Sequence, residues 1–70
     1  MLKLTERERD YLSLVAQGCS NKEIADILIV SKCTVKKTLE NIFEKLGARG
    51  RTHATVIAIK YRILKVEELL

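Results

Sequence analysis

The segment from Ser31 to Gly47 constrains the fold most, because it specifies one amphipathic helix together with both of its ends. Its apolar residues recur at i, i+4, i+7, i+8 and i+11, the spacing that puts side chains on one face of a helix. They are Val35, Leu39, Ile42, Phe43 and Leu46. Ser31 can cap the first turn with its hydroxyl, and Gly47 suits the left-handed residue that closes a helix. We therefore predict a helix over residues 32–46 with one face in a core.

The opposite face of this helix is polar, and it is basic near its start. It carries Lys32, Cys33, Lys36, Lys37, Glu40 and Glu44. Residues 32–51 contain six Lys or Arg against two Glu, so this segment alone holds a net charge of +4, equal to that of the whole chain. A concentrated basic patch favours a polyanionic partner, and such a helix fits a DNA major groove. Taken alone, the helix fits a solvated surface helix of a small bundle equally well.

Two further helix starts precede this segment. Thr5 with Glu8, and Ser20 with Glu23, have the spacing of a capping box, in which the cap hydroxyl and the acidic side chain satisfy each other's backbone N–H. The sequence also lacks proline, and its aromatic content is 4%. We predict an all-α, tetrahelical fold in which the second and third helices form a helix-turn-helix. The predicted helices are residues 5–17, 21–28, 32–46 and 51–64.

The first helix contains an acidic residue near its apolar face. We place Leu12, Val15 and Ala16 in the core, with Tyr11 and Glu8 at the edge of that face. Glu8 is expected either to serve the cap alone or to form an ion pair with a later basic residue such as Arg51.

The last predicted helix is apolar on two sides. One stripe, assigned to the core, is Ala54, Ile57, Ala58 and Tyr61; the other is Thr52, Val56, Ile59 and Ile63. A second apolar side in a small domain needs a cover. We favour a homodimer, since a chain of 70 residues builds little core of its own. A helix sunk deeper in its own core, or covered by a tail of Val66, Leu69 and Leu70, is the alternative.

Five blocks of residues, in fixed order and spacing, carry a resemblance to a known family. They are Leu4-Thr5-x-Arg7-Glu8, Gly18-x-Ser20-Asn21-Lys22-Glu23-Ile24-Ala25, Ser31-x-x-Thr34-Val35-Lys36, Asn41-Ile42-x-x-Lys45-Leu46-Gly47 and Arg51-Thr52-x-Ala54. On these blocks the chain resembles the LuxR/GerE (NarL/FixJ-like) family of bacterial transcription regulators over about residues 4–64. The resemblance implies a four-helix DNA-binding domain. We expect residues 1–70 to form this single domain, either free-standing or as part of a longer regulator.

The resemblance also implies sequence-specific binding to double-stranded DNA, with the 32–46 helix in the major groove. The implied base contacts are Lys36, Lys37 and Glu40, since lysine suits guanine and glutamate can accept from cytosine. The implied contacts to the DNA backbone are Lys22, Ser31, Thr34 and Lys45, with Arg49 and Arg51 as weaker candidates. The implied dimer interface is Thr52, Val56, Ile59 and Ile63, and RNA polymerase is a further candidate partner.

Three positions depart from the family pattern. Thr38 stands where the family usually has histidine, and Gly50 replaces the usual polar cap before the last helix. Arg62 stands where a glycine often ends that helix, so we expect the helix to run on through residues 65–68.

Other classes of function fit the sequence less well. A protein-interaction module on the same helices, and a promoter-reading domain like that of sigma factors, are the alternatives. One histidine and no acid–base pair argue against an enzyme or a catalytic residue. Cys19, Cys33 and His53 are too scattered for a metal site, and no cofactor is expected. With no apolar run of membrane-spanning length and no signal peptide visible, we expect a cytoplasmic bacterial protein with both cysteines reduced.

Overall fold

Four α-helices make up the body of the molecule. The computed structural model describes the backbone of residues 4–69 and the side chains of residues 4–67. The helices are α1 (Glu6–Ala16), α2 (Asn21–Leu28), α3 (Lys32–Leu46) and α4 (Arg51–Lys60), and a 3₁₀ turn follows at Val66–Leu69. The described residues contain no strand. The predicted all-α, four-helix fold is confirmed, and the bounds of α2 and α3 agree with the prediction.

The helix ends are closed by the predicted capping residues. The Thr5 hydroxyl accepts from the Glu8 amide at 3.1 Å, and the Glu8 carboxylate accepts from the Thr5 amide at 2.9 Å. Ser20 and Glu23 repeat the arrangement at 3.1 and 2.8 Å. At the other end of α3, Gly47 has a φ of 65°, the left-handed conformation that glycine adopts at little cost. These caps are local, so the sequence specifies them without help from the rest of the fold.

The core is a single apolar cluster to which every α-helix contributes. Its members are Tyr11, Leu12, Val15, Ile24, Ala25, Val35, Leu39, Ile42, Leu46, Ala54, Ala58 and Leu64. α1 packs on α3 and α4, while α2 packs mainly on α3. The predicted inward stripe of α3 is confirmed, although Phe43 at its margin is only half-buried. Tyr11, predicted to lie at the edge, is 3% exposed and belongs to the core, because the buried arc of α1 extends one residue beyond Leu12.

The end of α4 differs from the prediction. The helix stops at Lys60 rather than residue 64, because Arg62 adopts a φ of 58° and reverses the chain. The Ile63 amide then donates to the Ala58 carbonyl at 2.8 Å. Arg62 therefore does what a glycine commonly does at this position, and the expected continuation of the helix through residues 65–68 is wrong. Leu64, 7% exposed, turns back into the core, while Tyr61, assigned to the core, is 66% exposed.

A second side chain occupies the left-handed region at the end of α2. Ile29 has φ 57° and ψ 53°, and its side chain is 90% exposed. A β-branched residue is strained in this conformation. The conformation makes the sharp turn between α2 and α3, so the angle of the helix-turn-helix depends on it.

Candidate nucleic-acid interface

The outer face of α3 is open. Its predicted base-contacting residues Lys36, Lys37 and Glu40 are exposed, on the side opposite the buried Val35 and Leu39. Within residues 4–69, none of these three side chains takes part in a hydrogen bond or an ion pair. Two ammonium groups are thus held on a rigid helix with no partner in the described part of the chain.

The start of α3 carries two hydroxyl groups in contact with each other. The Ser31 hydroxyl accepts from the Thr34 amide at 3.0 Å and donates to the Thr34 hydroxyl at 2.9 Å. The Ser31 hydroxyl therefore already donates its hydrogen bond within the protein. The Thr34 hydroxyl keeps its own proton and is exposed, so Thr34 is the better placed of the two to donate to a phosphate oxygen.

The first turn of α2 presents Lys22 to solvent. The helix start below it is held by Arg51, whose guanidinium donates to the Asn21 side-chain oxygen at 2.7 Å and to the Cys19 carbonyl at 2.6 Å. The expected pairing of Arg51 with Glu8 is therefore wrong. The guanidinium reaches α2 from α4, a contact between residues about thirty apart that no local pattern signals.

Glu8 pairs instead with Lys45, a residue predicted to contact the DNA backbone. The Lys45 ammonium donates to both carboxylate oxygens, at 2.9 and 2.7 Å, and ties the last turn of α3 to the first turn of α1. The Lys45 ammonium, together with the Thr5 amide, holds the pKa of Glu8 below its ordinary value. Lys45 remains a predicted phosphate contact, although its ammonium already donates to both oxygens of Glu8.

The opposite end of α2 is held by a residue for which the sequence predicted no contact of its own. Arg7 of α1 donates from its guanidinium to the Leu28 carbonyl at 3.2 Å, and it lies 5.9 Å from the centre of the Tyr11 ring. The Leu28 carbonyl is one of the free acceptors at the end of a helix, where a cation is favourable. A basic residue four positions before a buried tyrosine, on the same helix face, is the only local signal of it.

The second apolar stripe of α4 reaches the surface. Val56 is 55% exposed and Ile59 is 36% exposed, Thr52 is exposed and Ile63 is half-buried. A groove of about 700 Å³ runs beside them. Its lining is Leu46, Gly47, His53, Val56, Ile57, Lys60, Tyr61 and Ile63. The helix is thus not sunk in its own core, and the described tail leaves Val56 open; Leu70 and the Leu69 side chain lie outside the described residues.

Three further observations concern metal-binding groups, membrane-spanning helices and the cysteines. The described residues contain no group of three His, Cys, Asp or Glu that could hold a metal ion. Among residues 4–69, no helix has the length and apolar character needed to cross a membrane. Both cysteines are free thiols, Cys19 half-buried and Cys33 exposed on the outer face of α3.

Comparison with known proteins places this geometry in context. Residues 2–58 match the GerE model, described as bacterial regulatory proteins of the luxR family. The chain is 48% identical over 59 residues to the nitrate/nitrite response regulator protein NarP of Escherichia coli, covering 84% of this chain and 27% of NarP. It is 46% identical over 61 residues to the uncharacterized transcriptional regulatory protein YhcZ of Bacillus subtilis, covering 87% of this chain and 28% of YhcZ.

A similar match extends to a protein named as an activator. The chain is 42% identical over 62 residues to the transcriptional activator protein BjaR1 of Bradyrhizobium diazoefficiens, covering 89% of this chain and 26% of BjaR1. The chain spans less than a third of the length of these curated relatives. The match is therefore to one domain of each.

Proposed function

The chain belongs to the luxR family of bacterial regulatory proteins, and from that premise we propose that it reads a specific DNA sequence by laying α3 in the major groove. The observation that carries the proposal is the open outer face of α3, where Lys36 and Lys37 are exposed and unpaired within the described residues. An α-helix fits the major groove, and lysines directed at its floor find guanine acceptors there. Transcription regulation in the bacterial cytoplasm follows from this role, with RNA polymerase as a proposed second partner.

The proposed base contacts are Lys36, Lys37 and Glu40. They follow one another at one and three residues' distance, so they occupy adjacent turns of the exposed face. A lysine ammonium suits guanine O6 and N7, and the Glu40 carboxylate can accept from cytosine N4. An acid close to phosphates also weakens binding to sites that lack the cytosine, which adds selectivity.

The proposed contacts to the DNA backbone flank this face. Lys22 supplies a charge at the start of α2, and Thr34 supplies a hydroxyl donor at the start of α3. Ser31 contributes mainly by holding Thr34 in place, since its proton is already used. Lys45 contributes at the far end of α3, where its side chain is 44% exposed even with the ion pair to Glu8 in place. Such contacts position the protein without reading sequence.

The proposed functional unit is a two-fold dimer through the exposed stripe of α4. Thr52, Val56, Ile59 and Ile63 form that stripe, and the adjoining groove could accept the apolar side chains of a second copy. Two copies would then place their α3 helices in successive major grooves, reading half-sites about one helical turn apart. Burying Val56 and Ile59 in this way removes apolar surface that the described residues leave exposed.

The decisive experiment is selection of bound sequences from a random duplex pool, followed by titration of the selected site. We expect a two-fold symmetric site and an affinity that falls as salt is raised. Lys37→Ala should cost about 1–3 kcal/mol and relax preference at one base pair. Arg9→Ala, which removes the same charge from an exposed position on α1, is the matched control and should change neither.

Outcomes of this experiment separate the candidate functions. Uniform weakening of Lys37→Ala on all sequences would make Lys37 a phosphate contact. Flat titrations at low salt would reject DNA binding and favour the interaction module that uses the α4 surface alone.

A further inference from the structure

We propose that Arg51 is a positioning residue for DNA binding, which sets the place of Lys22 by fixing the first turn of α2 from the start of α4. The inference rests on the proposed function above. The family resemblance made Arg51 a weaker candidate for a phosphate contact, and this proposal gives it a different role.

The geometry is that of a two-point clamp. The two terminal nitrogens of the Arg51 guanidinium donate separately, one to the Asn21 side-chain oxygen at 2.7 Å and the other to the Cys19 carbonyl at 2.6 Å. These acceptors lie on either side of Ser20, the residue that caps α2. A planar guanidinium holds two acceptors in a fixed relation, which a single flexible ammonium does not. Arg51 therefore fixes both the position and the direction of the chain as it enters α2.

No other described hydrogen bond joins α4 to this end of α2. The Ser20–Glu23 capping box is internal to α2, and Arg7 acts at the opposite end of the helix through the Leu28 carbonyl. The body of α2 packs mainly on α3. The first turn of α2 thus depends on Arg51 for its tie to the helix that follows α3.

Lys22 follows directly from the clamped residues. It is the second residue of α2, next to Asn21, and its side chain is exposed. Because the lysine side chain is long, a small rotation of the first turn of α2 would move the Lys22 ammonium away from the phosphate that it is proposed to contact. Both terminal nitrogens of Arg51 donate to acceptors within the protein, and the residue is half-buried. We therefore expect the guanidinium to hold α2 rather than to contact a phosphate.

The test compares Arg51→Lys with wild type, each with and without Lys22→Ala, by measuring duplex affinity against salt concentration. Arg51→Lys keeps the charge but loses the two-point clamp. In the wild-type background, Lys22→Ala should lower the slope of log affinity against log salt by about 0.9, the value for one phosphate contact. In the Arg51→Lys background, that slope should already be lower by about the same amount, and Lys22→Ala should change it no further.

Two controls make the result specific. Arg9→Lys changes an exposed arginine of α1 whose side chain makes no described hydrogen bond, and it should leave the slope and the Lys22→Ala effect intact. Asn21→Ala removes one acceptor of the clamp and should reproduce part of the Arg51→Lys effect. It is also the substitute test if Arg51→Lys folds poorly. Circular dichroism at the assay temperature verifies that each variant is folded.

The opposite results overturn the proposal. If Lys22→Ala still lowers the slope by its full amount in the Arg51→Lys background, Arg51 is a phosphate contact or a purely structural residue, and a lowered melting temperature would identify the second. If Lys22→Ala leaves the wild-type slope unchanged, there is no phosphate contact for Arg51 to position. Failure of the wild-type chain to bind duplex at all would instead reject the proposed function.

Discussion

Glu8→Gln isolates the charge of the ion pair that ties α3 to α1. Glutamine keeps an oxygen that can accept from the Thr5 amide, so the cap of α1 survives while the attraction to Lys45 is lost. The Glu8 side chain is 14% exposed, but that of Lys45 is 44% exposed, so solvent screens the pair. Pairs of this kind contribute about 0.2–1 kcal/mol. In a domain of this size we expect the melting temperature at pH 7 to fall by about 1–8 °C.

The pH dependence of this loss follows from the direction of the pKa shift. Lys45 and the Thr5 amide depress the pKa of Glu8 in the folded state, so the carboxylate contributes stability above its ordinary pKa of 4.5. That contribution is lost as the pH falls through the lower pKa of the folded state. The difference between wild type and Glu8→Gln should therefore be full at pH 7 and vanish in strong acid. It should also shrink at about 1 M salt, where exposed charges are screened.

The assay is thermal unfolding followed by circular dichroism, on a double-mutant cycle with Lys45→Met. The coupling free energy between the two positions should equal most of the Glu8→Gln loss at pH 7. An equal loss from Glu8→Gln in the presence and absence of Lys45 would refute the assignment of the pair, and so would a coupling that survives protonation of the carboxylate.

Three further predictions concern α2, α3 and α4. Ile29→Asn should raise the free energy of unfolding by up to about 1 kcal/mol, since asparagine tolerates the left-handed conformation. Ile27→Asn, at an exposed helical position, is the control and should not raise it. Equal effects of the two substitutions in urea unfolding would count against strain at Ile29. Ile42→Ala should cost about 2–5 kcal/mol because the side chain is 0% exposed, and a loss under 1 kcal/mol by the same assay would mean that the core collapses around it. Val56→Glu should abolish dimers in sedimentation and weaken binding to a double half-site far more than to a single one. Ile27→Glu, which has the same 55% exposure, should leave the sedimentation unchanged, and dimers that persist in Val56→Glu would exclude the α4 stripe.

The sequence predicted those parts of the fold that depend on local chemistry. Thr5, Ser20 and Ser31 cap the helices because each hydroxyl meets an amide three residues later, a relation visible in the chain itself. The buried stripe and exposed basic face of α3 followed from helical periodicity in the same way. Exposure of Lys36 and Lys37 was therefore predictable, whereas their contact with bases is still a prediction.

The errors arose where a distant contact or an unusual backbone conformation decided the outcome. Glu8 had several basic residues available, and only the packing of α3 on α1 selects Lys45 over Arg51. Periodicity carried α4 past its true end, because an arginine with positive φ leaves no signature in the pattern of apolar residues. That same periodicity placed Tyr61 in the core, whereas in the structure Tyr61 is exposed and Leu64 is buried.

If the chain binds DNA as the proposed dimer, the alanines at the centre of α4 constrain the spacing of the half-sites. Ala54 and Ala58 are 0% exposed, so α4 lies close against the body of the domain and cannot roll without a clash. In a dimer through this helix, the packing of α4 fixes the distance and the angle between the two α3 helices. One added base pair rotates a half-site by roughly 35° about the duplex axis, given about 10–10.5 pairs per turn. On a DNA site with such an insertion, either the duplex must twist to compensate or one of the two α3 helices must lose its contact.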